Sequence, residues 1–245
     1  LKAQENAAQC APKLLGRVGI TEGNRQTFSL GMTMSQFTNV NRFRPNKELW
    51  DSVARKGEQP DDYMQKEISG EAHLGETPYD CIQEVSAHAR KARALCKEVL
   101  EEEGSGNEEL TRLYTDTEAI YEMTISYCKK IEAAMEILRY KYTMDEKCRG
   151  DVELLEKAEK LMAESLEGYR RLVKLTEKTY LYANSMQTPQ RKIPFPNGET
   201  YGHWQSCLPE YEKELEYFQK HLADLKKGIL PTDHTQDVTA EPLQP

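Results

Sequence analysis

From residue 77 onward, apolar side chains recur at alternating three- and four-residue steps. Ile82, Val85, Ala89, Ala92, Cys96 and Val99 fall on one seam, the spacing of one face of an amphipathic helix. Thr77 stands just before Pro78. A threonine side chain accepts a backbone N–H at an N-cap, and a proline in the first turn has its φ already set and lacks only a donor the helix would not use. The pattern therefore predicts a helix over 78–103, broken by Gly104-Ser105-Gly106-Asn107.

A second helix is predicted over 108–143. Leu110, Leu113, Ile120, Ile131, Ala134 and Leu138 form its main stripe, and Tyr114, Tyr121, Cys128 and Met135 recur every seventh residue beside it. Two stripes on one helix imply more than one packed neighbour. A third helix is predicted over 151–185, with Leu155, Met162, Tyr169, Thr176 and Ala183 at seven-residue spacing. At a rise of about 1.5 Å per residue the second and third helices are each roughly 50 Å long, and short connections make them antiparallel. A last helix over 208–227 carries Leu208, Tyr211, Leu215, Phe218, Leu222 and Leu225, tolerates Pro209 near its start and stops at Gly228.

Elsewhere the pattern weakens. Residues 46–55 and 60–68 read as short capped helices, and 21–40 as a helix weakened by Gly23 and Gly31. No strand alternation or solenoid repeat recurs. The reading is an all-α protein: a bundle of about four helices, three or more of them long and antiparallel, over 77–230. An irregular helical annex over 1–76 precedes it, a loop over 187–207 is inserted in it, and a loose tail over 231–245 follows.

Composition narrows the function classes. A 245-residue chain with 30% charged residues is long enough for a core that needs no metal or disulfide staple. A net charge of −8 without a basic stripe argues against nucleic acid as partner. No apolar run approaches the roughly 18 residues of a membrane span, and the start LKAQENAAQC lacks the layout of a signal peptide. No HExxH, Walker loop, GxSxG elbow, dinucleotide fingerprint or zinc spacing appears, so no cofactor and no metal is expected. The five histidines are His73, His88, His203, His221 and His234, and His88 and His221 read as solvated. The acidic runs 101–103, 108–109 and 210–216 read as solvated helix faces.

Candidate chemistry gathers in the loop. Tyr182, Arg191, Phe195, Tyr201, His203 and Trp204 lie close in sequence, and aromatic faces beside amides and a guanidinium suit a sugar ring or a peptide. The other reading is that the same aromatics simply cover the bundle end and the helix crossover. If the three long helices run up, down and up, Cys81 and Cys148 share one end. A disulfide between them is feasible if their Cα atoms come within about 7 Å, and it would favour an extracytoplasmic compartment.

Two stretches, 14–39 (LLGRVGITEGNRQTFSLGMTMSQFTN) and 181–218 (LYANSMQTPQRKIPFPNGETYGHWQSCLPEYEKELEYF), resemble helical regions of large secreted bacterial proteins of polysaccharide-degrading systems. The resemblance implies an accessory helical module in a periplasmic or extracellular setting, with no active-site residue to carry over. The leading expectation is thus a non-catalytic structural or binding module engaging a glycan or a protein partner. A glycan-acting hydrolase or lyase, its carboxylates gathered only in the fold, is the alternative. Self-association of the wide helical stripes is a third reading, and oligomeric state is left open.

Overall fold

The computed structural model describes residues 1–17, 34–38, 57–104, 106–146, 149–180 and 203–229. These residues form α1 (Lys2–Arg17), α2 (Met34–Thr38), α3 (Pro60–Ser69), α4 (Pro78–Glu103), α5 (Glu108–Thr143), α6 (Val152–Thr176) and α7 (Trp204–Lys226). The fold is all-α, and no described helix is long and apolar enough to cross a membrane.

The predicted Thr77 cap is made, and caps that the sequence reading did not name accompany it. Thr77 accepts the Asp80 N–H while the Asp80 carboxylate accepts the Thr77 N–H, closing a capping box ahead of Pro78. Asn107 caps α5 through Leu110 and Asp151 caps α6 through Glu153. Gly70, in the left-handed region at φ 75°, ends α3 with its N–H on the Lys66 carbonyl.

Helix α5 is the axis of the molecule, with α4 and α6 along its length and α1, α2 and α3 on its flanks. Paired contacts whose numbers run in opposite directions, Asn6 with His88 and Lys13 with Glu84, Ser86 with Cys128 and Arg93 with Glu118, Glu159 with Gln219 and Arg170 with Glu212, show that α1–α4, α4–α5 and α6–α7 run antiparallel. At the α5–α6 crossing the side chains are small. Ser126 Oγ donates to the Ser165 carbonyl at 2.8 Å and Ser165 Oγ returns the bond to the Ser126 carbonyl at 2.7 Å. A Cβ on Gly168 would stand 3.3 Å from that of Ser126, so bulk there would push the helices apart.

The main core joins Val85, Ile131, Met135, Leu138, Leu155 and Phe218 to Leu14, Met34, Phe37 and Met64. The region expected as an annex thus supplies part of the same core as the bundle. Helix α1 has no counterpart in the sequence reading. Its buried seam is only Ala7, Cys10 and Leu14, and Pro12 lies inside it, so it is short and interrupted. A second cluster at the other end of α5 holds Met123, Leu166, Tyr169, Leu172, Cys207 and Tyr211.

Two helix ends differ from expectation. Helix α6 stops at Thr176 rather than near 185, in a tight turn where the Thr179 and Tyr180 N–H groups share the Thr176 carbonyl. It ends level with Asp116, which Tyr180 reaches, about two turns in from the α5 start at Glu108. Helix α7 begins at Trp204, four residues earlier than expected, so the inserted loop ends by His203 rather than 207. The expected helix over 46–55 and most of that over 21–40 lie outside the described residues, as does the tail over 231–245.

The acidic run 210–216 is not uniformly solvated. Glu214 is only 4% exposed and pairs with buried Lys130 of α5 at 2.9 Å. It also accepts the Met34 N–H, and the Lys130 ammonium sits 3.7 Å over the Tyr211 ring. Burial drives the Lys130 pKa down, against the pull of Glu214. Removing one partner leaves a buried charge alone, so Glu214→Ala is expected to cost about 3–5 kcal/mol in urea unfolding. The double replacement Lys130→Met, Glu214→Leu removes both charges and should recover most of that loss.

Candidate functional site

The described surface has one built polar cluster, formed where α3 and the turn after it fold back on each other. The Glu58 N–H donates to the Glu76 carbonyl at 2.9 Å. A Cβ on Gly57 would lie 2.4 Å from that carbonyl oxygen, so only glycine allows the two backbones to close. Gly70 reverses the chain after α3, and residues 71–76 return across the helix.

Glu58 is the centre of this turn. Its buried carboxylate accepts from Lys66 Nζ, from His73 and from the Leu74 N–H, each at 2.7 Å. The other His73 nitrogen is 3.0 Å from Glu67, and the imidazole stacks on Tyr63 at 4.4 Å. Tyr79 meets Tyr63 edge-on, and Arg139 of α5 reaches Glu67 at 4.0 Å. Burial alone would push the Glu58 pKa up, but the donors from Lys66, Leu74 and His73 outweigh it and hold it at about 2. Hydrogen bonds to Glu58 and Glu67 raise the His73 pKa, and His73 in turn lowers that of Glu67.

Beside this clamp lies an open cleft of about 670 Å³ lined by Gly57, Asp62, Gln65, Lys66, Glu71 and Leu74 among others. Gln65 is anchored by bonds from its amide nitrogen to Asp61 at 2.9 Å and to the Tyr142 hydroxyl at 3.2 Å. With its pKa held at about 2, Glu58 has no proton to give near neutral pH. The cleft therefore offers hydrogen-bonding groups and a fixed field rather than a ready general acid.

The other end of α5 carries an aromatic group. Tyr180 donates to Asp116 and meets Trp204 edge-to-face at 5.9 Å. Burial pushes the Asp116 pKa up. Trp204 is the first residue of α7 and packs against the second core cluster. His203 is the N-cap, its Nδ1 accepting the Gln205 N–H at 3.0 Å. Trp204 Nε1 and His203 Nε2 are buried with no hydrogen-bond partner among the described residues.

Of the six loop residues expected to meet a ligand, His203 and Trp204 thus come together, engaged in capping and packing. Tyr182, Arg191, Phe195 and Tyr201 lie outside the described residues. Cys81 is fully buried, while Cys148, and with it the expected bridge, lies outside them too. His221 is half-buried against the Tyr217 ring at 4.2 Å rather than solvated, and burial lowers its pKa. Among the described residues no group of three His, Cys, Asp or Glu is arranged to hold a metal ion.

The clamp residues Glu58, Lys66, Glu67 and His73 were not singled out from the sequence. The local signal is the bracket of Gly57, Pro60, Gly70 and Gly75 around a ten-residue helix. It marks a forced reversal without saying which acid it buries.

No family model matches the chain, and no curated protein matches it. Among solved structures it is similar to a GH138 enzyme described as targeting pectin rhamnogalacturonan II. The two are 38% identical with a TM-score of 0.84, and the match covers 95% of this chain and 26% of that one. The chain spans about a quarter of that enzyme's length. This finding supports the carbohydrate-active resemblance but corrects its detail, because the similar protein is an enzyme and not an accessory region. It likewise overturns the expectation of a non-catalytic module and favours the hydrolase alternative.

The clamp makes a signed pH prediction. Glu58 is depressed from 4.5 to about 2, so its contribution is present above pH 4.5 and is lost as pH falls toward 2. His73 is raised from 6.5, so its contribution is complete below pH 6.5 and is lost as pH rises through its folded value. A melting-temperature profile should show the cluster contributing most between pH 4.5 and 6.5. His73→Gln should flatten the alkaline side of that window and keep most of the acid limb. At the far end, Trp204→Ala is expected to cost about 2 kcal/mol in chemical denaturation, less than for a wholly buried tryptophan.

Proposed function

We propose that the protein is a glycan-acting hydrolase directed at a pectic polysaccharide of the rhamnogalacturonan II kind. This chain would be the helical portion that matches the GH138 enzyme. The observation that carries the reading is identity of 38% spread over 95% of the chain, at a TM-score of 0.84. Likeness at that level over nearly all of these residues goes beyond a shared bundle shape. A polymeric pectic substrate is met outside the cytoplasm, which fits a periplasmic or extracellular setting.

Glycosidic cleavage uses two carboxyls, one protonating the leaving oxygen and the other acting as base or nucleophile, about 5–9.5 Å apart. Among the described carboxyls, Asp116 is the one that burial pushes toward holding a proton, and Glu58 is firmly ionised. They sit near opposite ends of α5, roughly 30 Å apart at the helical rise, and so cannot flank one bond. In this reading the catalytic pair draws on residues beyond those described.

The test is to incubate rhamnogalacturonan II oligosaccharides with the intact natural protein and follow products by anion-exchange chromatography. Release of a sugar, or a shortened chain, at a rate well above the enzyme-free control is the expected result. No new product anywhere between mildly acidic and mildly alkaline pH would sink the hydrolase reading.

A further inference from the structure

The cleft beside α3 takes no part in the core but shares Glu58, Lys66 and Leu74 with the clamp, and its lining is chemically mixed. At about 670 Å³ it is within the size range of small-ligand sites. One wall is set by the Gly57 contact with Glu76 and by the clamp, and the side chains of Asp62, Gln65 and Glu71 complete it. Around it stand the carboxylates of Asp62, which holds a polar partner of its own, and of Glu71, which accepts from Ser69 Oγ at 3.1 Å, both with lone pairs to spare, together with an anchored amide on Gln65 and the Lys66 ammonium, already facing Glu58. One apolar element breaks the polar ring: Leu74, 70% exposed although its backbone is pinned to Glu58 at 2.7 Å. A leucine held in place by its main chain with its side chain in solvent offers an apolar plate inside a hydrogen-bonding rim.

We infer that this cleft is a subsite for a neutral sugar ring of the glycan, with Leu74 against its apolar face and Asp62, Gln65 and Glu71 on its hydroxyls. The inference rests on the hydrolase reading for the polymer's identity, and it goes further by naming what the cleft accepts and rejects. Carboxylates accept sugar hydroxyl protons as charge-assisted bonds, which are stronger than neutral ones. The same carboxylates repel a uronate. Lys66 does not reverse this, because the lining sets the three carboxylates of Glu58, Asp62 and Glu71 against that one ammonium. A pectic chain carries both kinds of sugar, so the cleft would register the polymer by seating a neutral residue and leaving uronates outside. Discrimination arises from like-charge repulsion as much as from attraction.

The experiment is a titration of the isotope-labelled intact protein with free L-rhamnose, D-galactose and D-galacturonate, read by amide NMR. Expected are saturable shifts at Gly57, Leu74 and Gly75 with one of the neutral sugars, at an affinity at least about tenfold above that for galacturonate. Leu74→Ser and Glu71→Ala alter exposed side chains and should abolish those shifts without changing the rest of the spectrum. The inference is overturned by absent shifts, by shifts elsewhere, by equal or tighter binding of galacturonate, or by variants that bind unchanged. Free sugars report on the cleft without any turnover. Hydrolysis of the polymer without cleft shifts would remove the subsite and keep the hydrolase. Cleft shifts in a protein that cleaves nothing would remove the hydrolase and keep a neutral-sugar site.

Discussion

Burial of α5 on nearly every side is the constraint from which the rest of this structure follows. From Thr117 to Tyr140 most of its residues are inaccessible, so both its polar and its apolar positions must be answered by neighbours. Apolar positions are answered by α4, α6 and α7 and by single side chains of α1, α2 and α3. Each large apolar side chain so buried contributes about 1.5–3 kcal/mol. The charged positions are answered one by one: Glu118 by Arg93, Glu122 by Arg171, Lys130 by Glu214 and Glu136 by Lys157. The pair Lys130–Glu214 differs because both partners are buried, and a buried charge tolerates only a well-placed counter-charge. That requirement fixes where α7 lies along α5, and the Met34 N–H on the same carboxylate brings α2 to the spot.

The two ends of this axis are built differently. One is closed by aromatic packing of Tyr180 and Trp204 over the second core cluster. The other is closed by charge, with Glu58 drawing a lysine, a histidine and a backbone amide into one knot against α3. Arg139 and Tyr142 of α5 reach the same region, through Glu67 and Asp61. The cleft wall is thereby tied to the core helix rather than to a free loop, and a rigid wall is what a recognition surface needs.

The likeness to a GH138 enzyme changes how these features are weighed. A helical bundle alone is compatible with many roles, and the loop aromatics suit the contact surface of a non-catalytic structural or binding module. Sequence identity over nearly the whole chain ties it instead to a catalytic polypeptide of which it matches about a quarter. Within that frame the charged end, with its open cleft, becomes a surface of interest beside the aromatic end, where Trp204 packs and His203 caps.

The long helices were legible in the sequence because their signals are local. Thr77-Pro78 caps the helix it precedes, and the three–four seam of α4 needs only its own residues to be recognised. Helix α1 was missed for the converse reason: its seam of small residues and its Pro12 look like loop until α4 is there to receive them. Local spacing likewise could not tell Glu214 from the solvated acids around it, since its partner Lys130 is 84 residues away. Nor could it reveal the Glu58 clamp, whose meaning depends on a reversal at Gly70 and on a contact that only Gly57 permits. The sequence by itself determined that the segments of α4, α5, α6 and α7 are helical and roughly which of their faces are apolar, because backbone propensity and periodicity act over a few residues. Only the tertiary structure decided which charges are buried, where α6 stops and where a cleft opens, because those outcomes depend on which distant side chains are close enough to answer them.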